Sequence, residues 1–178
     1  LNPEFVVERY NKHYSTLSSA DFIVEKGLSV LPEYSYINLS GMTFTSSPED
    51  ASNYHSYLEY LTDNNDNTSW EPAGAKELTT YTLTLNLKTT KDLHGLKLVQ
   101  TYFDNVTKRS WCPQSVKIYV STDGVKWDVA TYVEELEIGH STGEVNIIPF
   151  IEGGVQAQYV KVLVPTPHSE STYNISLA

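Results

Sequence analysis

A strict alternation of apolar and polar residues limits how this chain can fold. Over residues 81–87, tyrosine and leucine occupy every second position, with threonine and asparagine between them. A period of two places the apolar side chains on one face of a strand and the polar ones on the other. The pattern recurs in residues 96–98, 116–120 and 160–164. The sequence therefore predicts an all-β fold, a sandwich or a barrel, in which each strand has a buried face.

Two tryptophans, Trp70 and Trp127, each follow a polar segment. The segment before Trp127 contains Asp123 and Gly124, and an Asp-Gly pair supplies the left-handed backbone that a tight reversal needs. A tryptophan that brings the chain back from a turn to a sheet buries a large apolar surface. We therefore expect both tryptophans to anchor the core.

The length of 178 residues allows one domain, or one domain with a small appendage. Before the alternation begins, residues 3–14 have the spacing of a short amphipathic helix, and residues 22–24 and 28–31 that of short strands. We interpret residues 1–37 as an N-terminal appendage or as the tail of a preceding domain. Residues 38–178 form the predicted β domain.

The charge of the chain argues against some partners. The formal net charge is −10 and the sequence pI is about 4.8. No cluster of lysine and arginine offsets the repulsion of nucleic-acid phosphates or anionic lipid. No apolar run approaches the roughly 20 residues of a membrane-spanning helix. We therefore expect no nucleic-acid partner and no membrane insertion.

An oxygen-rich segment, residues 61–70, is the main candidate for a metal site. The carboxylates of Asp63 and Asp66 and the hydroxyl of Thr68 are ligands that calcium prefers. Asp63 begins a partial match to the helix-loop-helix calcium motif, but Thr68 replaces its glycine and Gly74 replaces its closing glutamate. Asparagine and aspartate also favour simple turns, because they bond to their own backbone. Spacing alone leaves both a turn and a metal loop open.

Known catalytic motifs are lacking. The sequence has no His-Glu-x-x-His, no Gly-x-Ser-x-Gly and no glycine-rich phosphate loop. The single cysteine, Cys112, has no histidine placed beside it, and isolated cysteines are usually packing residues. Glu135 and Glu137 could suggest a carboxylate pair, but a solvated strand edge explains their alternation. We expect no enzymatic activity.

Six segments, taken in order, resemble discoidin-like domains. These domains are the coagulation factor 5/8 type C modules, and they include the family 32 carbohydrate-binding modules. The segment at residues 158–162 looks like a strand that usually reads Arg-Tyr-Val-Arg-Val in the family, with Gln158 departing from it. The resemblance covers about residues 38–178. The segments are residues 63–70, 81–87, 93–98, 116–127, 158–162 and 173–178.

The resemblance implies a β-sandwich of jelly-roll type, with a structural calcium beneath one rim and a ligand surface built from loops. It places Asp63 and Thr68 among the metal ligands, with Asn64 where glycine is usual. The family commonly closes this site with a glutamate just after the small residue of the last strand, whereas this sequence ends at Ala178. Either the glutamate follows directly after Ala178, or backbone carbonyls, Asp66 and water supply the remaining oxygens, in which case the lost charge would lower calcium affinity.

The resemblance also implies ligand contacts in three connections. In related sugar-binding modules one connection, here residues 104–113, commonly provides an arginine. Its counterpart is Arg109, and Trp111 or Tyr102 offers a flat face to a sugar ring. The loops at residues 47–57 and 165–173 are expected to reach the same rim. Their candidate residues are Tyr54, His55, Tyr57, His168 and Tyr173.

The predicted function is non-catalytic carbohydrate binding, with a glycan as partner, by a module of a larger bacterial protein that is secreted, periplasmic or attached to the cell surface. Isolated sugar sites are weak and gain avidity when tethered to other domains. Two alternatives stay open: a protein- or lipid-binding adhesion module, and a purely architectural spacer. Lipid binding favours basic residues around apolar ones, so the acidic charge argues against it.

Overall fold

The computed structural model describes residues 35–48, 57–63, 65, 67–72, 78–101, 111–151, 153–166 and 175–178. The chain divides between Ile37 and Asn38, and nearly all described residues belong to the second unit, Asn38–Ala178. The proposed appendage, residues 1–37, lies almost wholly outside the described residues and stays a prediction.

Strands dominate the described residues, as the alternation predicts. Eight strands and one short 3₁₀ helix, Leu58–Leu61, are present among them. The strands are β1 (Thr43–Ser47), β2 (Thr80–Leu93), β3 (Gly95–Val99), β4 (Ser115–Ser121), β5 (Asp128–Val129), β6 (Leu136–Glu137), β7 (Val145–Pro149) and β8 (Val155–Pro165).

The strands form a large and a small sheet. The large sheet has the order β1-β2-β8-β4-β5, with β6 also pairing with β4, and all of these pairings are antiparallel. The small sheet pairs β3 with β7, also antiparallel. Strand β8 lies beside β2 and β4, so strands distant in sequence form the centre of the large sheet.

The carboxy-terminal residues extend the small sheet. The backbone N–H of Trp70 donates to the carbonyl of Leu177 over 2.7 Å, and the N–H of Leu177 donates back over 3.1 Å. Leu177 also bridges to Gln100, which directly follows β3. The last residues of the chain therefore lie between the Trp70 segment and the end of β3.

The predicted buried face is confirmed. Tyr81, Leu83, Leu85 and Leu87 of β2 are each at most 6% exposed, while the threonines and the asparagine between them are partly exposed. The alternating valines and isoleucine of β4 and β8 join the same core. Each such side chain contributes about 1.5–3 kcal/mol by leaving water. Leu98 of β3 and Ile148 of β7 belong to the same core cluster, so the small sheet covers the buried face of the large one and the fold is the predicted β-sandwich.

The tryptophans differ from each other. Trp70 is fully buried and packs edge-to-face on Tyr81, with 5.4 Å between ring centroids, so its predicted role is confirmed. The same prediction is wrong for Trp127, which is half-buried and lies outside the core. Its ring lies 3.6 Å from the Nζ of Lys161. Lys161 lies between inward-facing valines of β8, so it points outward and holds Trp127 on the outer face.

The turn at Asp123-Gly124 forms as predicted. Gly124 has a φ of +75°, a left-handed conformation that favours glycine. The Oδ1 of Asp123 accepts hydrogen bonds from the N–H groups of Val125 at 2.8 Å and Lys126 at 2.9 Å. These bonds, that from Lys126 first, lower the pKa of the Asp123 carboxyl from its ordinary value of 3.8.

Among the described residues, no helix has both the length and the apolar character needed to cross a membrane.

Replacing Asp123 by alanine tests the turn. Because the folded-state pKa is lowered, the ionised carboxylate stabilises the fold above about pH 4, and this contribution is lost as the pH falls through the lower folded-state value. We expect Asp123→Ala to lower the urea midpoint at pH 7 and to differ less from wild type below about pH 4. Asp128→Ala, on exposed β5, is the control. A pH-independent difference for Asp123→Ala would contradict this account.

Candidate functional site

Strand register places several connections at one end of the large sheet, called the rim below. Ser47 at the end of β1 lies opposite Thr82, and Thr80 at the start of β2 lies opposite Pro165 at the end of β8. Lys117 near the start of β4 pairs with Leu163. Three parts of the chain therefore attach to the rim: the connections 48–79 and 166–174, and the segment that enters β4.

Only some of the predicted ligand residues belong to the described part of the chain. Tyr57 and Trp111 are described. The others lie outside it and stay predictions: Tyr54, His55, Tyr102, Arg109, His168 and Tyr173.

Tyr57 forms an aromatic pair that the sequence analysis missed. It immediately precedes the 3₁₀ helix, and the N–H of Tyr60 donates to its carbonyl over 3.0 Å. This single turn brings the two rings to 5.3 Å between centroids in an edge-to-face arrangement. Tyr57 is 56% exposed, whereas Tyr60 is half-buried. A three-residue spacing of aromatics is the sequence signal for such a pair.

Trp111 is held at the point where the chain approaches β4. Its side chain is half-buried, and its carbonyl accepts a hydrogen bond of 3.1 Å from the N–H of Ser176. The next residue, Cys112, is buried, and burial is the main cause that raises the pKa of its thiol. The thiol therefore packs as an apolar group, and Trp111 is fixed to the carboxy-terminal segment.

The structure brings two of the three predicted metal ligands together. The Oδ2 of Asp63 lies 2.7 Å from the hydroxyl of Thr68, and that hydroxyl also lies 2.7 Å from the carbonyl oxygen of Asn65. The N–H of Asn65 donates to the Oδ1 of Asp63 over 2.8 Å. The third ligand, Asp66, lies outside the described residues. Asp63, Asn65 and Thr68 thus form a compact cluster of oxygens.

The oxygen cluster is compatible with both interpretations of this loop, a simple turn and a metal site. Hydrogen bonds to Asp63 and Asn65 make it an Asx-rich turn without any metal. A carboxylate, a hydroxyl and a carbonyl are also the mixed oxygen set that a hard cation takes. Within the described residues, no group of three or more His, Cys, Asp or Glu is placed to hold a metal. A metal here would rely on hydroxyl and backbone oxygens beside Asp63.

Glu71 is a further polar residue that the sequence analysis missed. Its Oε1 accepts hydrogen bonds from the hydroxyl of Ser69 at 2.8 Å and from that of Ser176 at 3.2 Å. Ser69 and Ser176 are buried. Glu71 therefore places a carboxylate against the carboxy-terminal segment that contains Ser176. Its pairing with Ser176 spans 105 positions, so no local pattern predicts it.

The two-layer antiparallel sandwich, with its rim and its polar loop before a buried tryptophan, defines a class of β-sandwich domains. A family model, the F5/8 type C domain, matches residues 43–177. The chain belongs to this family. The resemblance found in the sequence is thereby confirmed.

Solved structures share this fold at low sequence identity. A Clostridium perfringens domain in complex with GalNAc-β-1,3-galactose is 17% identical, has a TM-score of 0.60 and covers 79% of this chain and 94% of its own. The family 32 carbohydrate-binding module of Clostridium perfringens NanJ, in complex with galactose, is 16% identical, with a TM-score of 0.61 and coverages of 80% and 93%. The C-terminal domain of a Bacteroides fragilis chitobiase is 13% identical, with a TM-score of 0.57 and coverages of 79% and 91%. Among curated proteins, none matches this sequence.

Replacing Thr68 by valine tests the loop as a hydrogen-bonded turn. Valine has a similar shape but lacks the hydroxyl that contacts Asp63 and Asn65. We expect the free energy of unfolding, measured by urea in the presence of EDTA, to fall by about 1 kcal/mol. Thr68→Ser keeps the hydroxyl and is the matched control. A loss for Thr68→Ser with none for Thr68→Val would show that the methyl group, not the hydrogen bonds, matters.

Proposed function

We propose that this chain is a non-catalytic carbohydrate-binding module that holds a glycan at the rim. The observation that carries the proposal is the exposed Tyr57, supported by Tyr60, in a connection that attaches to the rim. An aromatic face of this kind packs against the C–H side of a sugar ring. Two similar structures contain galactose or GalNAc-β-1,3-galactose, which supports a sugar of this type as the ligand.

The remaining rim contacts follow from the predicted residues. Arg109 would donate several hydrogen bonds to sugar hydroxyls, and Trp111, fixed to Ser176 through its backbone, would offer a second aromatic surface. Tyr54, His55, Tyr102, His168 and Tyr173 are further candidates from the connections at or near the rim. Groups that are already held in place bind at a lower cost in conformational entropy.

We infer that the oxygen cluster of Asp63, Asn65 and Thr68 binds calcium, together with Asp66. The ion would supply positive charge to a group of oxygens and stiffen the loop before Trp70. Asp63 would act as the charged ligand, and the hydroxyl of Thr68 and the carbonyl of Asn65 as neutral ones, because the Thr68 hydroxyl lies 2.7 Å from both the Oδ2 of Asp63 and the carbonyl oxygen of Asn65. This role is structural and lies outside direct contact with the glycan.

We further propose that the module belongs to a larger bacterial protein that is secreted, periplasmic or attached to the cell surface. One similar structure is a module of a family 31 glycoside hydrolase from Clostridium perfringens. Tethering raises the effective concentration of a weak sugar site near its substrate. A lipid-binding adhesion role is disfavoured by the net charge of −10. A protein-binding module and a spacer are the alternatives that the experiments must separate.

The glycan proposal is tested by a glycan array followed by calorimetry on the best neutral ligand. We expect Tyr57→Ala and Arg109→Ala each to lower affinity about tenfold, because each removes a stacking or hydrogen-bonding group. Val125→Ala is the control, since Val125 is 80% exposed in the turn at the other end of β4. Absence of any bound glycan would favour a spacer or a protein-binding module.

The calcium proposal is tested by thermal and urea unfolding with calcium and with EDTA. At a calcium concentration about 100 times the dissociation constant, we expect a gain of ~2.7 kcal/mol in the free energy of unfolding. Asp63→Asn should remove most of this gain, because it removes a charged ligand. Glu59→Gln, on the neighbouring 3₁₀ helix, should keep it. If calcium does not change the free energy of unfolding, the loop acts only as a hydrogen-bonded turn.

A further inference from the structure

Each of the three parts of the chain that attach to the rim carries residues that the proposed function places at the glycan. The connection 48–79 contains Tyr57, and the segment that enters β4 contains Trp111. The connection 166–174 contains two more predicted ligand residues, which lie outside the described part of the chain. Side chains bind a ligand more tightly when they are already held in place, because less conformational entropy is lost. The contacts among these three parts therefore bear on glycan affinity.

Thr166 joins two of these parts at the point where β8 ends. It directly follows Pro165, which pairs with Thr80. The N–H of Thr166 donates to the carbonyl of Thr79 over 2.8 Å, and the N–H of Thr79 donates to the hydroxyl of Thr166 over 3.0 Å. In a regular strand pair both bonds are made by the backbone, whereas here a side chain makes the second one. Thr166 is only 4% exposed, so this contact is shielded from water.

Glu71 joins the connection 48–79 to the segment that enters β4. Its Oε1 accepts hydrogen bonds from the hydroxyls of Ser69 at 2.8 Å and Ser176 at 3.2 Å. The N–H of Ser176 in turn donates to the carbonyl of Trp111 over 3.1 Å. Both serines are buried, and Ser176 is fully so. The carboxylate is therefore linked to the backbone of Trp111 through one buried residue.

The two contacts lie on either side of the connection 166–174. Thr166 is its first residue, and Ser176 follows its last residue by two positions. Both ends of this connection are therefore attached to one other connection, that of residues 48–79. Loss of either attachment would release one end and raise the conformational entropy that binding has to remove.

We propose that Thr166 and Glu71 are positioning residues of the glycan site. They act without touching the sugar, by holding the three parts of the chain at the rim in one arrangement before a glycan binds. The proposal rests on the proposed function. Thr166 acts through the backbone of Thr79, and Glu71 acts through Ser176 on the backbone of Trp111. Loss of either contact would weaken binding although every ligand residue is still present.

Replacing Thr166 by valine tests the first contact, by calorimetry with galactose and GalNAc-β-1,3-galactose. Valine fills the space of threonine but has no oxygen for the N–H of Thr79. We expect the affinity for both sugars to fall about fivefold. Thr131→Val is the matched control, because Thr131 is 5% exposed and its hydroxyl donates over 2.7 Å to the carbonyl of Val133 within its own segment. The control should lower the urea midpoint to a similar extent but leave the affinity unchanged.

Replacing Glu71 by alanine tests the second contact with the same two sugars. Alanine removes the oxygen that accepts from Ser69 and Ser176, so we again expect the affinity to fall about fivefold. Glu71→Gln keeps the length of the side chain and an oxygen that accepts hydrogen bonds, so it should restore most of the affinity. Ser176→Ala removes the donor of the same bond and should resemble Glu71→Ala.

Amide hydrogen exchange, followed by NMR, shows without any glycan whether these contacts hold the backbone. Thr166→Val should speed the exchange of the Thr79 amide, and Glu71→Ala that of the Ser176 amide, because each variant removes a bond that fixes the residue. Thr131→Val and Glu71→Gln should leave both amides as they are in the unmodified protein. Unchanged exchange in Thr166→Val and Glu71→Ala would overturn the proposal whatever the affinities are.

The outcomes separate the positioning role from the proposed function. If the unmodified protein binds neither sugar, the proposed function fails for glycans of this type, and the positioning role fails with it. If it binds them and both Thr166→Val and Glu71→Ala bind as tightly as Thr131→Val, the positioning role is wrong and the glycan site at the rim stands. Circular dichroism of each variant shows whether the fold is kept. If Glu71→Ala does not fold, Ser176→Ala takes its place.

Discussion

The backbone pairing of Trp70 with Leu177 is the interaction on which the rest of this domain depends. It joins the segment before β2 to the carboxy-terminal segment through two hydrogen bonds, and it brings a fully buried tryptophan into the core. The same pairing places Ser176 beside Glu71 and against the carbonyl of Trp111. One pair of residues thus positions the oxygen-rich segment, the carboxy-terminal segment and the approach to β4 relative to each other.

The antiparallel register then determines where function can lie. Because β1 and β8 end where β2 and β4 begin, connections that are far apart in sequence attach to one end of the large sheet. Loops on a rigid sandwich can vary in sequence without disturbing the core, which explains why binding residues concentrate there.

The sequence predicts the strands well and the site only in part. Alternation reveals which side chains of β2 and β8 are buried, because a period of two is a local property. It does not reveal which side of a sheet a residue beside a turn will cover, and for this reason the prediction for Trp127 is wrong. The hydrogen bond between Glu71 and Ser176 joins residues 105 positions apart, and no local pattern in the sequence contains such a pairing.

The oxygen-rich segment, residues 61–70, shows why residue spacing alone could not distinguish a simple turn from a metal site. Both Asp63 oxygens already accept hydrogen bonds inside the loop, one from Asn65 and one from Thr68. A calcium ion at 2.3–2.6 Å from its ligands would use the same oxygens, so the Thr68 hydrogen would have to turn away from Asp63. A turn and a metal site would therefore use the same course of the backbone. They would differ in whether hydrogen bonds or an ion contact the oxygens. The residue types that favour one also favour the other, and only the balance between hydrogen bonds and ion contacts decides between them.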